Sequence, residues 1–373
     1  MNRRSTEPYL ARYFHSQGRR LGMPVAGNFE LTARCNFNCP MCYVHLSNEQ
    51  VAARGGELTA DQWLRIAEDA KNKGMIFALL TGGEPLVRKD FFEIYDGMRE
   101  MGLMISINSN GSMLQGKVLE RFLETPPFRF NISLYGGCNE TYKNMCGLPV
   151  YDQVKANIRA LRQAGVDVNL NLSITPHNRN DLPQIYADAV ELDVSIKGSS
   201  YMYPPIRVNG EEYGVGNRLS AEESAIYSVE WDKLRFTPEQ FELRARNMAD
   251  LVSIEQDGCP VEDGEGVTCR AGSTSFWVTW DGKMTPCGMM TQPVVYPLEV
   301  GFDAAWEQLR SQVRQIRTPA KCVHCDHKDI CGVCAAVCLT ETGRFDAVPE
   351  YMCRRAEAIV RQTRLAWEER KKL

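Results

Sequence analysis

The sequence lacks the features that mark several large classes of protein. Its 373 residues carry a formal net charge of −4, so it has no excess of basic residues for binding nucleic acid. No apolar run reaches the roughly 18 residues of a membrane span, and no signal-peptide core follows the basic N-terminus. Internal repeats and low-complexity tracts are also missing. We therefore expect a cytoplasmic globular protein that has neither nucleic acid nor a membrane as its partner.

Cysteine, in contrast, is abundant and clustered. The chain has 14 cysteines: three between residues 35 and 42, two at 138 and 146, and nine between 259 and 353. A cytoplasmic chain is a poor setting for a disulfide framework, so this number favours metal binding or redox chemistry.

Short apolar runs alternate with amphipathic stretches from residue 28 to about 200. Helices are predicted over 59–74, 151–165 and 182–193, with Thr59 as an N-cap. Buried strands are predicted over 28–33, 75–81, 103–108, 129–134, 166–174 and 193–199. Six β-α units in series predict an α/β fold, a partial (β/α)6 TIM-like barrel followed by a small cysteine-rich domain.

The predicted domain boundaries follow changes in composition. We expect an N-terminal extension over 1–27, the barrel over 28–225, a helical connector over 226–258, and a cysteine-rich domain with a C-terminal helix over 259–373. In a barrel of this kind the chemistry lies where strands end and loops begin, and the cysteine triplet follows the first strand.

The triplet Cys35, Cys39 and Cys42 can converge on one centre, but it is one ligand short for tetrahedral zinc. His45 could supply the fourth ligand of a zinc site. Alternatively, three cysteines can hold a [4Fe-4S] cluster and leave one iron free for another molecule. The turn "TGGEP" ends the second predicted strand, and an amino group could bind there.

The spacing C-x3-C-x2-C with Tyr43 after it, followed by GGEP, resembles the radical S-adenosylmethionine (SAM) superfamily over residues 28–200. The resemblance implies that Cys35, Cys39 and Cys42 ligate a [4Fe-4S] cluster whose fourth iron binds SAM. It further implies SAM contacts from five strand-end positions and one strand residue: Gly82, Gly83, Glu84, Asn110, Ser133 and Asn171.

The C-terminal cysteines resemble the SPASM domain, which carries auxiliary clusters. Cys269, Gly282 and Cys287 form C-x12-G-x4-C, and C-x2-C-x5-C follows. The resemblance implies one auxiliary [4Fe-4S] cluster on Cys259, Cys269, Cys287 and a cysteine from 334–338, and another on Cys322, Cys325, Cys331 and Cys353. In the SPASM pattern three residues separate the third cysteine of this run from the fourth, whereas only two separate Cys331 from Cys334. An additional cysteine follows at Cys338, so either Cys334 or Cys338 is spare, and we favour Cys334 as the ligand. A pair of zinc knuckles is the alternative.

Three functions remain open at this point. Members of the resembled family with this domain pair mostly modify peptides, so we expect a radical SAM enzyme that oxidatively modifies, by crosslinking, a peptide or protein. A separate protein would recognise the leader peptide, and a flavodoxin- or ferredoxin-type protein would supply electrons. The second hypothesis is the same chemistry on a small molecule, with residues 201–205 lining its pocket. A non-catalytic Fe-S or zinc protein is the third. Cys138 and Cys146 are expected to be packing thiols, with a substrate-facing role as the alternative.

Overall fold

The computed structural model describes residues 9–204, 217–250 and 264–372. One short 3-10 helix covers Pro85–Val87. The other elements, in chain order, are α1 (Tyr9–Leu21), β1 (Ala26–Glu30), α2 (Asn48–Ala53), α3 (Ala60–Asn72), β2 (Phe77–Thr81), α4 (Phe91–Glu100), β3 (Met104–Ser109), α5 (Gly116–Glu124), β4 (Arg129–Ser133), α6 (Asn139–Cys146), α7 (Tyr151–Gln163), β5 (Val168–Ser173), α8 (Leu182–Glu191), β6 (Ser195–Ser199), α9 (Ala221–Arg235), α10 (Pro238–Asp250), β7 (Ser275–Val278), β8 (Met284–Thr285), α11 (Pro297–Val300), α12 (Phe302–Val313), α13 (Ala320–Val323), α14 (Lys328–Cys331), α15 (Ala335–Thr342) and α16 (Glu350–Arg370).

The strands form one sheet in the order β6-β5-β4-β3-β2-β1-β7-β8. All neighbouring pairs from β6 to β7 are parallel, and β8 alone runs antiparallel, to β7. Each of the first six strands is followed by helix before the next strand, which is the connection that parallel strands require. The predicted α/β fold, a partial barrel with a cysteine-rich C-terminal region, is confirmed.

The helices cover the outer face of the sheet, and their starts follow local chemistry. Thr59 caps α3 as predicted: its hydroxyl accepts from the backbone N–H of Gln62, whose side chain in turn accepts from the backbone N–H of Thr59. The same helix buries Trp63, whose ring meets that of Phe29 on β1 edge-to-face with centroids 6.0 Å apart. Large apolar contacts of this kind fix each helix against its strand.

The cysteine-rich segment is joined to the barrel more closely than its composition indicates. Strand β7 pairs with β1 over Ala26 to Phe29, so the hairpin before Cys287 extends the barrel sheet. Helix α1, from the predicted extension, is anchored to the same region: His15 Nδ1 lies 2.9 Å from Thr274 Oγ1, and the Arg19 guanidinium donates to the Cys269 carbonyl at 3.0 Å. The boundary predicted at 258/259 lies outside the described residues.

The last helix, α16, packs along α9 and α10 and returns the chain to the barrel. Buried Arg355 donates to the hydroxyls of Ser224 on α9, at 2.7 Å, and of Ser200 after β6, at 3.2 Å. In the described parts of the chain, no helix combines the length and apolar character that a membrane crossing requires.

Candidate active site

The cysteine loop after β1 is held against the glycine turn after β2. The backbone N–H of Gly83 donates to the Thr32 carbonyl at 2.8 Å. Gly82 has a φ of +147°, and a Cβ there would lie 2.4 Å from the same carbonyl oxygen. A Cβ on Gly83 would lie 2.3 Å from the carbonyl oxygen of Arg34. Both positions therefore require glycine, because any side chain would push the cysteine loop away.

Backbone N–H groups already point at two of the triplet sulfurs. The N–H of Phe37 donates to Cys35 Sγ at 3.3 Å, and the N–H of His45 donates to Cys42 Sγ at 3.4 Å. Burial nevertheless dominates: it raises the pKa of Cys35 to about 12 and raises the pKa of Cys42. Thiols with such pKa values hold their protons unless a metal displaces them, so metal binding here releases protons.

Glu84 is completely buried beside this loop. Its carboxylate accepts from the backbone N–H of Leu86 at 3.1 Å, from the hydroxyl of Ser109 at 3.1 Å and from the backbone N–H of Asn110 at 2.7 Å. Burial raises the pKa of Glu84 to about 7, and these hydrogen bonds oppose the rise. The carboxylate is thus a buried acid that ties the end of β2 to the end of β3.

Asn110 lies against the cysteine loop. Its amide nitrogen donates to Asn36 Oδ1 at 2.8 Å and lies 3.8 Å from Cys35 Sγ. Its amide oxygen accepts from the Ser112 hydroxyl at 2.7 Å. Both ends of the amide are therefore bonded within the chain, and the side chain fixes the loop that carries Cys35.

The inner face of the sheet is a ladder of polar side chains. Asn108 on β3 donates to Thr81 Oγ1 on β2 at 3.3 Å, and Asn131 on β4 donates to Asn108 Oδ1 at 2.9 Å. On the far side Ser195 on β6 donates to Asn169 on β5. Strand alternation places these residues inward, because their neighbours in sequence are buried against the helices.

One row nearer the carboxyl ends lie Ser133, Asn171 and Lys197, which are aligned in the register of β4, β5 and β6. The flanking residue Gly198 abuts the Trp231 ring on α9, where a Cβ would lie 2.6 Å from it, so Lys197 points to the opposite, inner face. Lys197 is exposed, and it forms no ion pair among the residues that the structure describes.

Four cysteines of the C-terminal region line one cavity of about 250 Å³ together with Tyr203: Cys269, Cys287, Cys322 and Cys334. Cys287 follows the hairpin of β7 and β8, whose turn places Gly282 at a φ of +83°. The glycine of C-x12-G-x4-C is thus the turn residue that brings the chain back toward Cys269. Burial raises the pKa of Cys287 to about 11.

A second group of thiols lies around the start of α16. Burial is the main cause of the raised pKa values of Cys322, Cys331 and Cys353, and Cys325 lies close enough to each of them to contribute to the rise. Seven of the eight predicted auxiliary ligands are described residues, but Cys322 of the second set also lines the cavity of the first, so the two ligand sets remain predictions. The eighth, Cys259, lies outside the described residues.

Cys334 and Cys338 differ in surroundings. Cys334 is the N-cap residue of α15, with extended backbone, and it faces the cavity. Cys338 lies one turn into the helix and is completely buried in the core, which raises its pKa to about 12. The choice of Cys334 as the cluster ligand remains a prediction.

The remaining cysteines are placed differently from each other. Cys138 is exposed at the start of α6, 3.4 Å from Thr141 Oγ1. Cys146 is completely buried and lies close enough to Cys39 to be the first cause of the raised pKa of Cys39. His45, the alternative zinc ligand, is half-buried, and burial lowers its pKa.

Zinc requires all its ligands around one ion. Within residues 9–204, 217–250 and 264–372, no three His, Cys, Asp or Glu side chains are grouped so that they could hold a single ion. The ligands of a [4Fe-4S] cluster bind different irons, so they lie farther apart than the ligands of one ion.

Sequence reasoning missed two residues of this region. Tyr203 was predicted only as part of the loop 201–205, because its position beside Cys334 depends on contacts between distant segments. Lys197 was not singled out, yet strand alternation in "DVSIKGS" contains the signal: Ile196 packs outward against the core, so Lys197 must face inward.

The comparisons with known proteins agree with this geometry. Residues 29–189 match the family model described as the radical SAM superfamily. An AdoMet-dependent heme synthase of Methanosarcina barkeri is 28% identical over 334 residues, which cover 85% of this chain and 93% of the relative.

Solved structures share the fold over nearly the whole chain. SuiB of Streptococcus suis bound to its precursor peptide SuiA has a TM-score of 0.63 at 16% identity, covering 94% of this chain and 82% of SuiB. Native anSMEcpe with bound AdoMet and the Cp18Cys peptide has a TM-score of 0.65 at 15% identity, covering 93% and 98%. At these identities the likeness concerns the fold.

The chain therefore carries a radical SAM domain, and the enzyme class predicted from the cysteine triplet is confirmed. This domain implies SAM and one [4Fe-4S] cluster as cofactors.

Proposed function

We propose that this radical SAM enzyme carries out a net oxidation of its substrate, with two auxiliary clusters beside the barrel. One observation carries the proposal: Tyr203, just past the end of β6, lies between the two thiol-rich parts of the chain. It lines the cavity of Cys269, Cys287, Cys322 and Cys334. Its pKa is raised mainly by burial, and Tyr43, which follows Cys42, is close enough to make a smaller contribution.

The cofactors would be held by residues from separate parts of the chain. SAM and its [4Fe-4S] cluster supply a 5′-deoxyadenosyl radical that removes hydrogen from carbon. Cys35, Cys39 and Cys42 would hold that cluster, since two of these sulfurs already accept backbone N–H groups. The carbonyls of Gly82 and Gly83, beside the buried acid Glu84, would hold the SAM amino group. Ser133 and Asn171 would contact the rest of SAM from the inner face.

The auxiliary clusters would use the two C-terminal thiol groups. The first would be held by Cys269, Cys287, Cys334 and Cys259, and the second by Cys322, Cys325, Cys331 and Cys353. An electron leaving the oxidised substrate needs an acceptor, and a cluster within the same chain provides one. A flavodoxin- or ferredoxin-type protein would supply the electron that starts the reaction.

For the substrate we favour a small molecule that carries carboxylates. Lys197 projects into the barrel beyond Asn171, and its ammonium suits a carboxylate. The relative from Methanosarcina barkeri, similar over most of both chains, is named as a synthase of heme, whose rim carries propionate carboxylates.

A peptide or protein substrate, with an oxidative crosslink as the product, is the second candidate. It is supported by the shared fold with SuiB and anSMEcpe, whose structures contain bound peptides. A separate leader-recognition protein would then be the partner. Residues 201–204, at the barrel mouth, would be part of the surface that such a peptide meets.

The test begins with protein purified without oxygen and reconstituted with iron and sulfide. Dithionite and SAM should yield 5′-deoxyadenosine, and iron analysis should show three clusters. Protein that holds zinc, or clusters that never cleave SAM, would instead support a non-catalytic metal protein.

The two substrate classes are then separated by binding and by mass. Heme titrated into the holoenzyme should shift its own absorption spectrum at a stoichiometry of one per chain if the small-molecule proposal is correct. Loss of hydrogen from a peptide encoded by a neighbouring gene, with no heme binding, would overturn that proposal in favour of the peptide.

A further inference from the structure

The segment that follows β6 is an aromatic strap over the barrel mouth, formed by residues 201–203 and held in place from two sides. The Tyr201 ring packs edge-to-face on the Tyr203 ring, with centroids 5.1 Å apart. The Tyr201 hydroxyl donates to Glu341 on α15 at 2.8 Å. The strap is therefore tied to the helix that begins at Cys334.

Arg218 stabilises this arrangement through contacts with Tyr201 and Glu341. Its guanidinium lies 3.6 Å from the centre of the Tyr351 ring and 5.3 Å from that of Tyr201. It also pairs with Glu341, with Nη1 3.2 Å from Oε2. Glu341 and Arg218 are both largely shielded from water, so this ion pair and its ring contacts hold one geometry.

Tyr203 is the residue of the strap that lies beside the C-terminal thiols. Its ring lines the cavity with Cys269, Cys287, Cys322 and Cys334, and after burial the nearby Cys334 and Cys287 are the next causes of its raised pKa. Tyr43, the neighbour of Cys42, is close enough to be the last of these causes.

We propose that Tyr203 is a positioning residue for the first auxiliary cluster, whose hydroxyl donates a hydrogen bond to the Cys334 sulfur and thereby raises the reduction potential of that cluster. Hydrogen bonds to ligand sulfurs are one of the means by which proteins set cluster potentials. The reduced cluster carries one more negative charge than the oxidised one, so a donor to its sulfur stabilises the reduced form more. The proposal rests on the auxiliary cluster of the proposed function.

The test compares holoenzyme variants that differ by one oxygen atom. In Tyr203→Phe the ring and its packing remain and only the donor to Cys334 is lost. Tyr201→Phe is the matched control, because its hydroxyl bonds to Glu341 instead of a thiol. The readout is the midpoint potential of each cluster, followed by electron paramagnetic resonance during a redox titration, with the SAM-binding cluster identified by its change on SAM addition.

We expect Tyr203→Phe to shift the reduction equilibrium of one auxiliary cluster about tenfold toward the oxidised form, or ~59 mV for one electron. Iron content and the SAM-binding cluster should not change, and Tyr201→Phe should leave all potentials in place. Unchanged auxiliary potentials in Tyr203→Phe, or an equal shift in both variants, would overturn the inference while the auxiliary clusters stand. Wild-type protein with iron for a single cluster would overturn the proposed auxiliary clusters themselves.

Discussion

A Cβ atom on Gly83 would lie 2.3 Å from the carbonyl oxygen of Arg34, closer than a side-chain carbon and a backbone oxygen can approach. The contact joins the turn after β2 to the loop that carries the cysteine triplet. Because the obstacle is backbone, no rotamer change can relieve it, and the loop itself would have to move.

Gly83→Ala should therefore damage SAM cleavage more than it damages the fold. Overpacking at one site costs about 1–3 kcal/mol of the free energy of unfolding. A displacement of the cysteine loop by about 1 Å is sufficient for a roughly 100-fold loss in the rate of 5′-deoxyadenosine formation. Gly266→Ala is the control, because a Cβ there has no neighbour closer than 3.8 Å. Equal rates in the two variants would show that the close approach of the two loops has no role in catalysis.

Glu84 predicts a pH dependence of stability whose sign follows from its burial. Burial raises its pKa to about 7 in the folded chain from the ordinary value of 4.5, so between these pH values the folded state holds more protons than the unfolded state. Stability therefore falls as pH rises through this window, by about 3 kcal/mol for this group.

Urea unfolding of cofactor-free wild type and Glu84→Gln, from pH 5 to pH 8, measures the effect. The amide does not ionise, so the wild type should lose more stability over this window than the variant does. Parallel pH profiles would mean that Glu84 titrates normally in the folded chain.

Local features of this fold could be predicted from the sequence, and the reason is physical. The N-cap at Thr59 and the strand predicted over 166–174 depend on residues a few positions apart, so pattern alone identifies them. The triplet and the glycine turn were recognisable because their chemistry restricts both spacing and residue type.

Contacts between distant segments could not be predicted in the same way. The pairing of β7 with β1 joins residues about 250 positions apart, and nothing local in either strand specifies that partner. The bond of Glu84 to the N–H of Asn110 is another case: the sequence placed both residues at strand ends, but their mutual contact depends on how two loops pack.

The environments of Cys334 and Cys338 predict opposite effects of their removal. Cys334→Ala should lose about one third of the bound iron, because one of three proposed clusters would lack a ligand. Cys338→Ala should keep the iron and lose about 1 kcal/mol of the free energy of unfolding, because it removes one atom from a buried site. Iron and sulfide analysis after anaerobic reconstitution checks both. Retention of all iron by Cys334→Ala, with loss in Cys338→Ala, would exchange the two assignments.

Lys197 predicts which chemical group of the substrate the barrel holds. If its ammonium binds a carboxylate, Lys197→Gln should weaken heme binding about tenfold or more, since a charge-assisted hydrogen bond contributes roughly 1.5–3 kcal/mol. Lys117→Gln, which removes an exposed lysine from α5 outside the barrel, should bind heme as the wild type does.

The dimethyl ester of heme separates the carboxylate from the rest of the ligand. It lacks the ionised groups, so wild type and Lys197→Gln should bind it with equal affinity, and both more weakly than the wild type binds heme. SAM affinity, measured separately for each variant, distinguishes a substrate carboxylate from that of SAM: a loss confined to SAM would place Lys197 on the SAM carboxylate. A tenfold preference for heme over its ester that survives in Lys197→Gln would contradict the role of this lysine, because another cation would then be holding the carboxylate.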